Sequence, residues 1–261
     1  ELMLNINWFS LYSNHAAPIW LGGKAVECLK SIKIEFIVEE YPGQMMVQIC
    51  KNLNKIRGLQ RLGLLIDHHY YIVCFSLTPL LKEFTNLSQL ESFIFAGKDF
   101  AVTNEDTNLL SSIVKKNTKL KELKIVTSSG VFTVSNTSPT VEFFESLPPS
   151  IRSIEVTHLP KIAKPYLNGI VKALKKLPNI ENLNVGFDNI KLTPKDAATF
   201  VCQALAELRY LKSLKINWFS LEIDEDFNRK IKSLLRAHRS CTSINFIGTA
   251  NGQEWKKNYY L

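Results

Sequence analysis

The sequence predicts an α/β solenoid, with a parallel sheet on its inner wall and helices outside, and three observations predict it. The hexapeptide Ile-Asn-Trp-Phe-Ser-Leu occurs at 6–11 and again at 216–221. Between the copies the spacing Leu-x-x-Leu-x-Leu returns as Leu29/Ile32/Ile34, Leu59/Leu62/Leu64, Leu90/Phe93/Phe95, Leu120/Leu123/Ile125, Ile151/Ile154/Val156, Ile180/Leu183/Val185, Leu211/Leu214/Ile216 and Cys241/Ile244/Phe246. The first anchors fall at 29, 59, 90, 120, 151, 180, 211 and 241, in steps of 30, 31, 30, 31, 29, 31 and 30. Third, a wider apolar stripe precedes each anchor at helical spacing. Self-similarity at such a period marks a chain built of stacked, equivalent turns.

Each turn reads as strand, loop, helix and short return. The opening Leu4-Asn-Ile-Asn stretch alternates apolar and polar residues, as does Leu214-Lys-Ile-Asn, and alternation is the mark of a strand with one buried face. Ile49, Cys50, Leu53 and Ile56 form the first clear helical stripe. Leu77-Thr-Pro-Leu-Leu81 continues such a stripe and reads as core. Acidic residues in Thr103-Asn-Glu-Asp106 mark a helix start, because negative charge is favoured at the positive end of the helix dipole. Pro139, Pro165 and Pro194 mark three further starts, each placed where the missing N–H costs nothing, with Asp196 able to complete a cap. The turn before Ile151 is the weakest: its Thr127–Pro139 loop is long and Ser/Thr-rich, and Pro148-Pro149 cuts its helix short. Val201, Cys202, Leu205 and Leu208, then Ile231, Leu234 and Leu235, give the last two helical stripes, and Asp224-Glu-Asp226 opens the final helix.

Nine motifs in step within a residue of a 30-residue period resemble those of leucine-rich-repeat proteins, of the long helical subclass typified by ribonuclease inhibitor. The resemblance covers essentially the whole chain. It implies a horseshoe of about nine strands and a non-catalytic role in protein binding, as in ligand-sensing regions of nucleotide-binding immune receptors or substrate-selecting subunits of ubiquitin ligases. The chain departs from the family where Asn or Cys usually ties neighbouring turns together. Those positions read Phe9, Ile37, Asp67, Lys98, Ser128, Leu159, Asp188, Phe219 and Thr249. Strands lie about 4.8 Å apart while packed helices need about 8–10 Å, so the strands should take the inner side of the curve, along an arc of about 38 Å.

The 261 residues suffice for one solenoid domain, residues 1–261, because a solenoid grows by adding turns. No apolar run reaches the roughly 18 residues of a membrane span, and no secretory leader is in view, so a cytoplasmic location with no membrane partner is expected. The chain opens on Glu1 within a strand motif and reads as part of a longer protein. Five cysteines without a Cys-x-x-Cys pair read as reduced thiols, with Cys50 and Cys202 on inner helix faces and Cys241 at an anchor. No phosphate loop, dinucleotide fingerprint, zinc-protease pair or nucleophile elbow occurs, so no catalytic residue, metal or cofactor is assigned.

Candidate binding residues are those flanking the inward anchors, which should line the concave wall: Asn5, Asn7, Lys33, Glu35, Arg61, Glu122, Lys124, Glu155, Asn182, Asn184, Lys215 and Asn217. The wall mixes both signs of charge with small polar groups, which suits a polar protein surface better than a phosphate channel. Rim candidates are Trp8 and Trp218, which take the same place just past the strand in two repeats, and His68, His69 and Tyr70 in the loop after the third strand. The net charge of +8 concentrates where helices end and strands begin, at Lys51, Lys55, Arg57, Lys115, Lys116, Lys119, Lys121, Lys172, Lys175, Lys176, Arg236 and Arg239. Basic residues complement the helix dipole there, and a basic rim would also dock an acidic protein or RNA, although it lacks the interleaved aromatics that RNA stacking uses. The expected partner is a protein ligand, with a neighbouring subunit of a large assembly or RNA at the basic rim as alternatives.

Overall fold

Apolar residues at every second position, repeated turn after turn, build one long sheet. The computed structural model describes residues 2–8, 28–38, 43–68, 75–97, 100–127, 138–159, 164–187, 194–218, 225–238, 240–250 and 253–260. In chain order the elements are β1 (Leu2–Trp8), β2 (Ser31–Val38), α1 (Gly43–Leu53), β3 (Arg61–His68), β4 (Phe75–Ser76), α2 (Thr78–Phe84), β5 (Ser92–Gly97), β6 (Phe100–Ala101), α3 (Asn104–Lys116) and β7 (Glu122–Thr127). There follow α4 (Ser138–Ser146), β8 (Ser153–Leu159), α5 (Lys164–Leu174), β9 (Asn182–Phe187), α6 (Pro194–Glu207), β10 (Ser213–Trp218), α7 (Glu225–Ala237), β11 (Ser243–Ala250) and β12 (Gln253–Tyr260). Among the described residues, nine strands run parallel in the order β1-β2-β3-β5-β7-β8-β9-β10-β11, and β12 closes the sheet antiparallel to β11. Seven helices alternate with them, each packed on the next in the chain.

The register fixes the period. Leu2 pairs with Ile32, and the same row runs through Leu62, Phe93, Leu123, Ile154, Leu183, Leu214 and Ile244, in steps of 30, 30, 31, 30, 31, 29, 31 and 30. From Ile32 onward this row and its neighbour two residues along are fully buried, joined by the first anchors from Leu59 to Cys241. Each such side chain contributes about 1.5–3 kcal/mol when removed from water, so every turn carries a large apolar term that is complete only against its neighbours. Phe84 meets Phe93 edge-on at 5.9 Å, and Phe227 meets Phe246 at 5.1 Å, closing the helix–sheet layer with favourable ring geometry. Gly169 lets α5 close on α4, since a Cβ there would sit 3.0 Å from Val141.

Backbone bonds supply regularity at the strand entries. The carbonyls of Lys30, Gln60, Glu91, Lys121, Arg152, Glu181 and Lys212 each accept two N–H groups from the following turn, at 2.6–3.4 Å. Side chains add to this seam: the Ser150 hydroxyl bridges the Thr118 and Leu120 carbonyls, and that of Ser240 bridges Arg209 and Leu211.

Several expectations are corrected. The repeated hexapeptide is out of phase by two residues, because Leu4, not Ile6, pairs with Ile34 and so matches Ile216. A shift of two preserves which face is buried, so alternation alone could not detect it. Trp8 and Trp218 therefore do not occupy equivalent places: Trp8 pairs with Val38 and Trp218 with Phe187, and both end strands instead of following them. The shortest helix among those described is the seven-residue α2, not the nine-residue α4. Its start at Thr78-Pro79 uses the same proline device as α4, α5 and α6. The irregularity expected near Ile151 emerges instead as a register shift in β8 between Val156 and Leu159. Residues 128–137 of the long loop lie outside the described residues. The small β4–β6 ribbon and the closing strand β12 carry no repeat motif and were not expected.

Candidate functional site: the open face of the sheet

Helices cover one face of the sheet, and the other face is left to the alternate side chains. In β5 and β7 the burial pattern alternates half-buried and buried without exception. The strand register arranges the open face in rows. The middle row runs Met3, Lys33, Gly63, Ile94, Lys124, Glu155, Asn184, Lys215 and Asn245. The lower row, at the strand starts, runs Ser31, Arg61, Ser92, Glu122, Ser153, Asn182, Ser213 and Ser243. The upper row begins Asn5, Glu35, Leu65, Ala96 and Val126, and Asn217 stands in it near the other end, opposite Gly186. Eleven of the twelve predicted wall residues thus lie in these three rows. Asn7, opposite Ile37 in β1, lies one step above them.

Much of this polar surface is internally engaged. Lys124 pairs with Glu155 at 2.7 Å, and the Asn184 amide donates to the same carboxylate at 2.8 Å, linking three adjacent strands. The Ser92 hydroxyl donates to Glu122 at 2.7 Å, and the Ser243 hydroxyl donates to that of Ser213 at 3.2 Å. The side-chain oxygens of Asn184, Asn217 and Asn245 are buried and accept no hydrogen bond within the protein. Lys33 lays its aliphatic stem across Gly63, where a Cβ would come within 3.3 Å of it. Among the described residues, Lys33, Arg61 and Lys215 belong to no ion pair.

An apolar island interrupts the rows. Leu65 of β3 and Val126 of β7 flank Ala96 of β5 on either side, with Ile94 two residues before Ala96, all half-buried on the open face beside the side-chain-free Gly63. The sequence signal for it was present, since these residues hold outward positions. The candidate set omitted them because charged and amide residues were chosen by type.

The basic rim divides in two. In the later turns it is laced by ion pairs spaced about one repeat apart: Lys121 with Glu91 at 2.7 Å, Lys212 with Glu181 at 2.6 Å, Lys175 with Glu207 at 2.7 Å, and Lys176 with Glu145 at 4.0 Å. The hydrogen bond and charge of Lys121 hold the Glu91 carboxyl below its usual range, and Lys212 does the same for Glu181. Lys116 donates to the Thr85 carbonyl at 2.6 Å. At the other edge Asp106 is fully buried in a capping box with Thr103 and also accepts from Thr78 of α2 at 2.6 Å, so it serves the fold. Lys230 and Arg229 hold the Asp226 carboxyl low from within its own helix.

Cys202 is corrected. It is exposed, on the flank of α6 facing α7, in a groove of about 390 Å³ lined also by Lys195, Ala198, Lys230 and Leu234. The stripe that packs inward is Ala197, Val201, Ala204 and Leu208. Cys50 and Cys241 are buried, and burial pushes both thiols up. Cys28 is exposed, and Cys74 lies outside the described residues.

His68 belongs to β3, paired with Val38, and is not a loop residue; His69 and Tyr70 lie outside the described residues. Among the described residues no three His, Cys, Asp or Glu side chains stand together as a metal site, and no helix is long and apolar enough to cross a membrane. No family model matches the chain, and a search of curated proteins finds no match.

Proposed function

We propose that this chain is a non-catalytic recognition module of the leucine-rich-repeat type that binds a protein partner on the open face of its sheet. One observation carries the reading: the outward residues of the eight parallel strands β2 to β11 form a largely part-exposed surface that mixes charge, amide and apolar groups. Protein interfaces have that composition, with a small apolar centre inside a polar rim, whereas a nucleic-acid channel would concentrate positive charge. An intracellular setting suits the four free thiols.

The test is affinity capture from source lysate with the native chain beside a Lys33→Glu, Arg61→Glu, Lys215→Glu variant, with circular dichroism verifying the fold. All three side chains are at least part-exposed and unpaired, so the variant should fold normally. A partner retained by the native chain and lost from the variant supports the open face as the recognition surface. Identical capture by both proteins overturns it.

A further inference from the structure

The ion-pair lacing of the rim is partial: among the described residues Lys115, Lys119 and Lys172 stand outside it, and so do the cations of the turn from β2 to β3. Between residues 30 and 61 stand Lys30, Lys33, Lys51, Lys55, Arg57 and Arg61, and among the described residues none of them belongs to an ion pair. Helix-dipole complementarity explains a cation at the end of α1, and what sets this turn apart from Lys115, Lys119 and Lys172 is that Lys33 and Arg61 lie in the open-face rows. Lys30 and Arg61 stand at the starts of β2 and β3, where the Lys30 carbonyl accepts the Gln60 and Arg61 N–H groups, and the Lys30 ammonium lies 3.0 Å from where a Cβ on Gly58 would be, beside Arg57 in the chain.

The corner at Lys30 and Arg61 adjoins the apolar island. Arg61 and Leu65 share the outward side of β3, and Lys33 crosses Gly63, the register neighbour of Ile94. Three strands by two outward positions give an island of about 10 Å by 7 Å, room for one large apolar side chain. Of the acidic groups nearby, Glu91 is held by Lys121 and also feels the charge of Arg61, Glu35 faces Leu65 from the upper row, Glu122 accepts from Ser92, and Glu155 is held by Lys124.

Resting on the recognition reading above, we propose that the corner formed by Lys30, Arg57 and Arg61 and the island around Ile94 is the docking point for an acidic protein segment carrying one large apolar residue. The apolar side chain seats on Leu65, Ile94, Ala96 and Val126, and carboxylates flanking it meet the unpaired cations. An anchor in a desolvated pocket ringed by polar contacts is how interfaces concentrate affinity. Unpaired opposite charge adds association rate and excludes basic competitors. Protein is favoured over nucleic acid because the corner is continuous with an apolar surface that a phosphate backbone would not use.

The experiment selects short random peptides, displayed on phage, against the whole purified chain. Selected peptides are then measured against Ile94→Asn, Ala96→Lys, Lys30→Glu with Arg57→Glu, and Lys215→Glu, with polyuridylate RNA as a second probe. The expected result is enrichment of peptides joining Asp or Glu to Leu, Phe or Trp. Their affinity should fall roughly tenfold or more in each of the first three variants, and by much less in Lys215→Glu, which lies four strands along the same face from Ile94. Peptides weakened only by Lys215→Glu would overturn the corner but leave the open-face reading standing. Peptides indifferent to every variant, or no enrichment at all, would overturn both. Tight RNA binding that needs Lys30 and Arg57 but ignores Ile94 and Ala96 would replace the protein segment with a nucleic acid.

Discussion

Asn117 and His238 stand three residues before an anchor in two different turns, and each closes a helix end with its own side chain. At most anchors the N–H bonds the carbonyl three residues back, as Leu59 does to Ile56 and Leu211 to Leu208. Cys241 donates instead to His238 Nδ1 at 3.0 Å. Leu90 donates to Asn117 Oδ1 of the next turn at 2.7 Å, while the Asn117 amide donates to the Leu87 and Ile113 carbonyls at 2.9 and 2.7 Å. One buried amide thus does part of the tying that a ladder of asparagines does in the resembled family. Asn117→Ala would strand the Leu90 N–H and the Leu87 carbonyl, at a cost of about 2–4 kcal/mol in urea unfolding. Asn179→Ala, which loses one exposed bond to the Pro149 carbonyl, should cost well under half as much. Thiol chemistry gives a second check at this scale. Cys28 and Cys202 should react with a disulfide-exchange reagent in the native protein, and Cys50 and Cys241 only on unfolding, since burial keeps the latter two protonated and covered. Labelling of Cys50 at the native rate would contradict the packing of α1.

Among the elements, β12 shows how the sheet ends. It runs antiparallel, buries Tyr259 against Phe246 edge-on at 6.0 Å, and lets the phenol donate to Asn228 of α7, so strand, sheet and last helix are fastened by one ring. Its outer edge carries Lys256 and Lys257, charges that discourage pairing with another chain. Burial, reinforced by Glu225, pushes the Tyr259 phenol up from the ordinary 10 to about 12. The unfolded chain therefore loses this proton first as pH rises. The stability contributed by the neutral phenol is whole below pH 10 and declines as pH climbs through about 12. Melting temperature followed across that window should fall for the native chain and fall less for Tyr259→Phe. Equal slopes would show that Tyr259 does not fasten the end.

At the scale of the molecule, what was legible in the sequence was what repeats. The two buried rows and the helix starts at Pro139, Pro165 and Pro194 follow from local spacing, because each turn repeats the same packing problem. Features that depend on two or three turns at once were not legible. The phase of β1 was hidden because Leu2, Leu4 and Ile6 satisfy the burial pattern in more than one register. The island of Leu65, Ile94, Ala96 and Val126 exists only after three strands are laid side by side. Cys202 was misassigned because a helical stripe has a flank, and whether the flank is covered depends on Lys230, Ser233 and Leu234 of the next helix.

The doubled hydrogen bonds at the strand entries have a consequence for how such a chain can change. Each seam joins one carbonyl to two amides of the succeeding turn, with the same partners in the same places from Lys30 to Lys212. Excising one whole turn, from an anchor to its successor, would bring together two ends that already match. Losing a few residues would leave a carbonyl facing the wrong amide. Length is thus the property that heredity can alter in this molecule with least disturbance, provided it is altered by the turn.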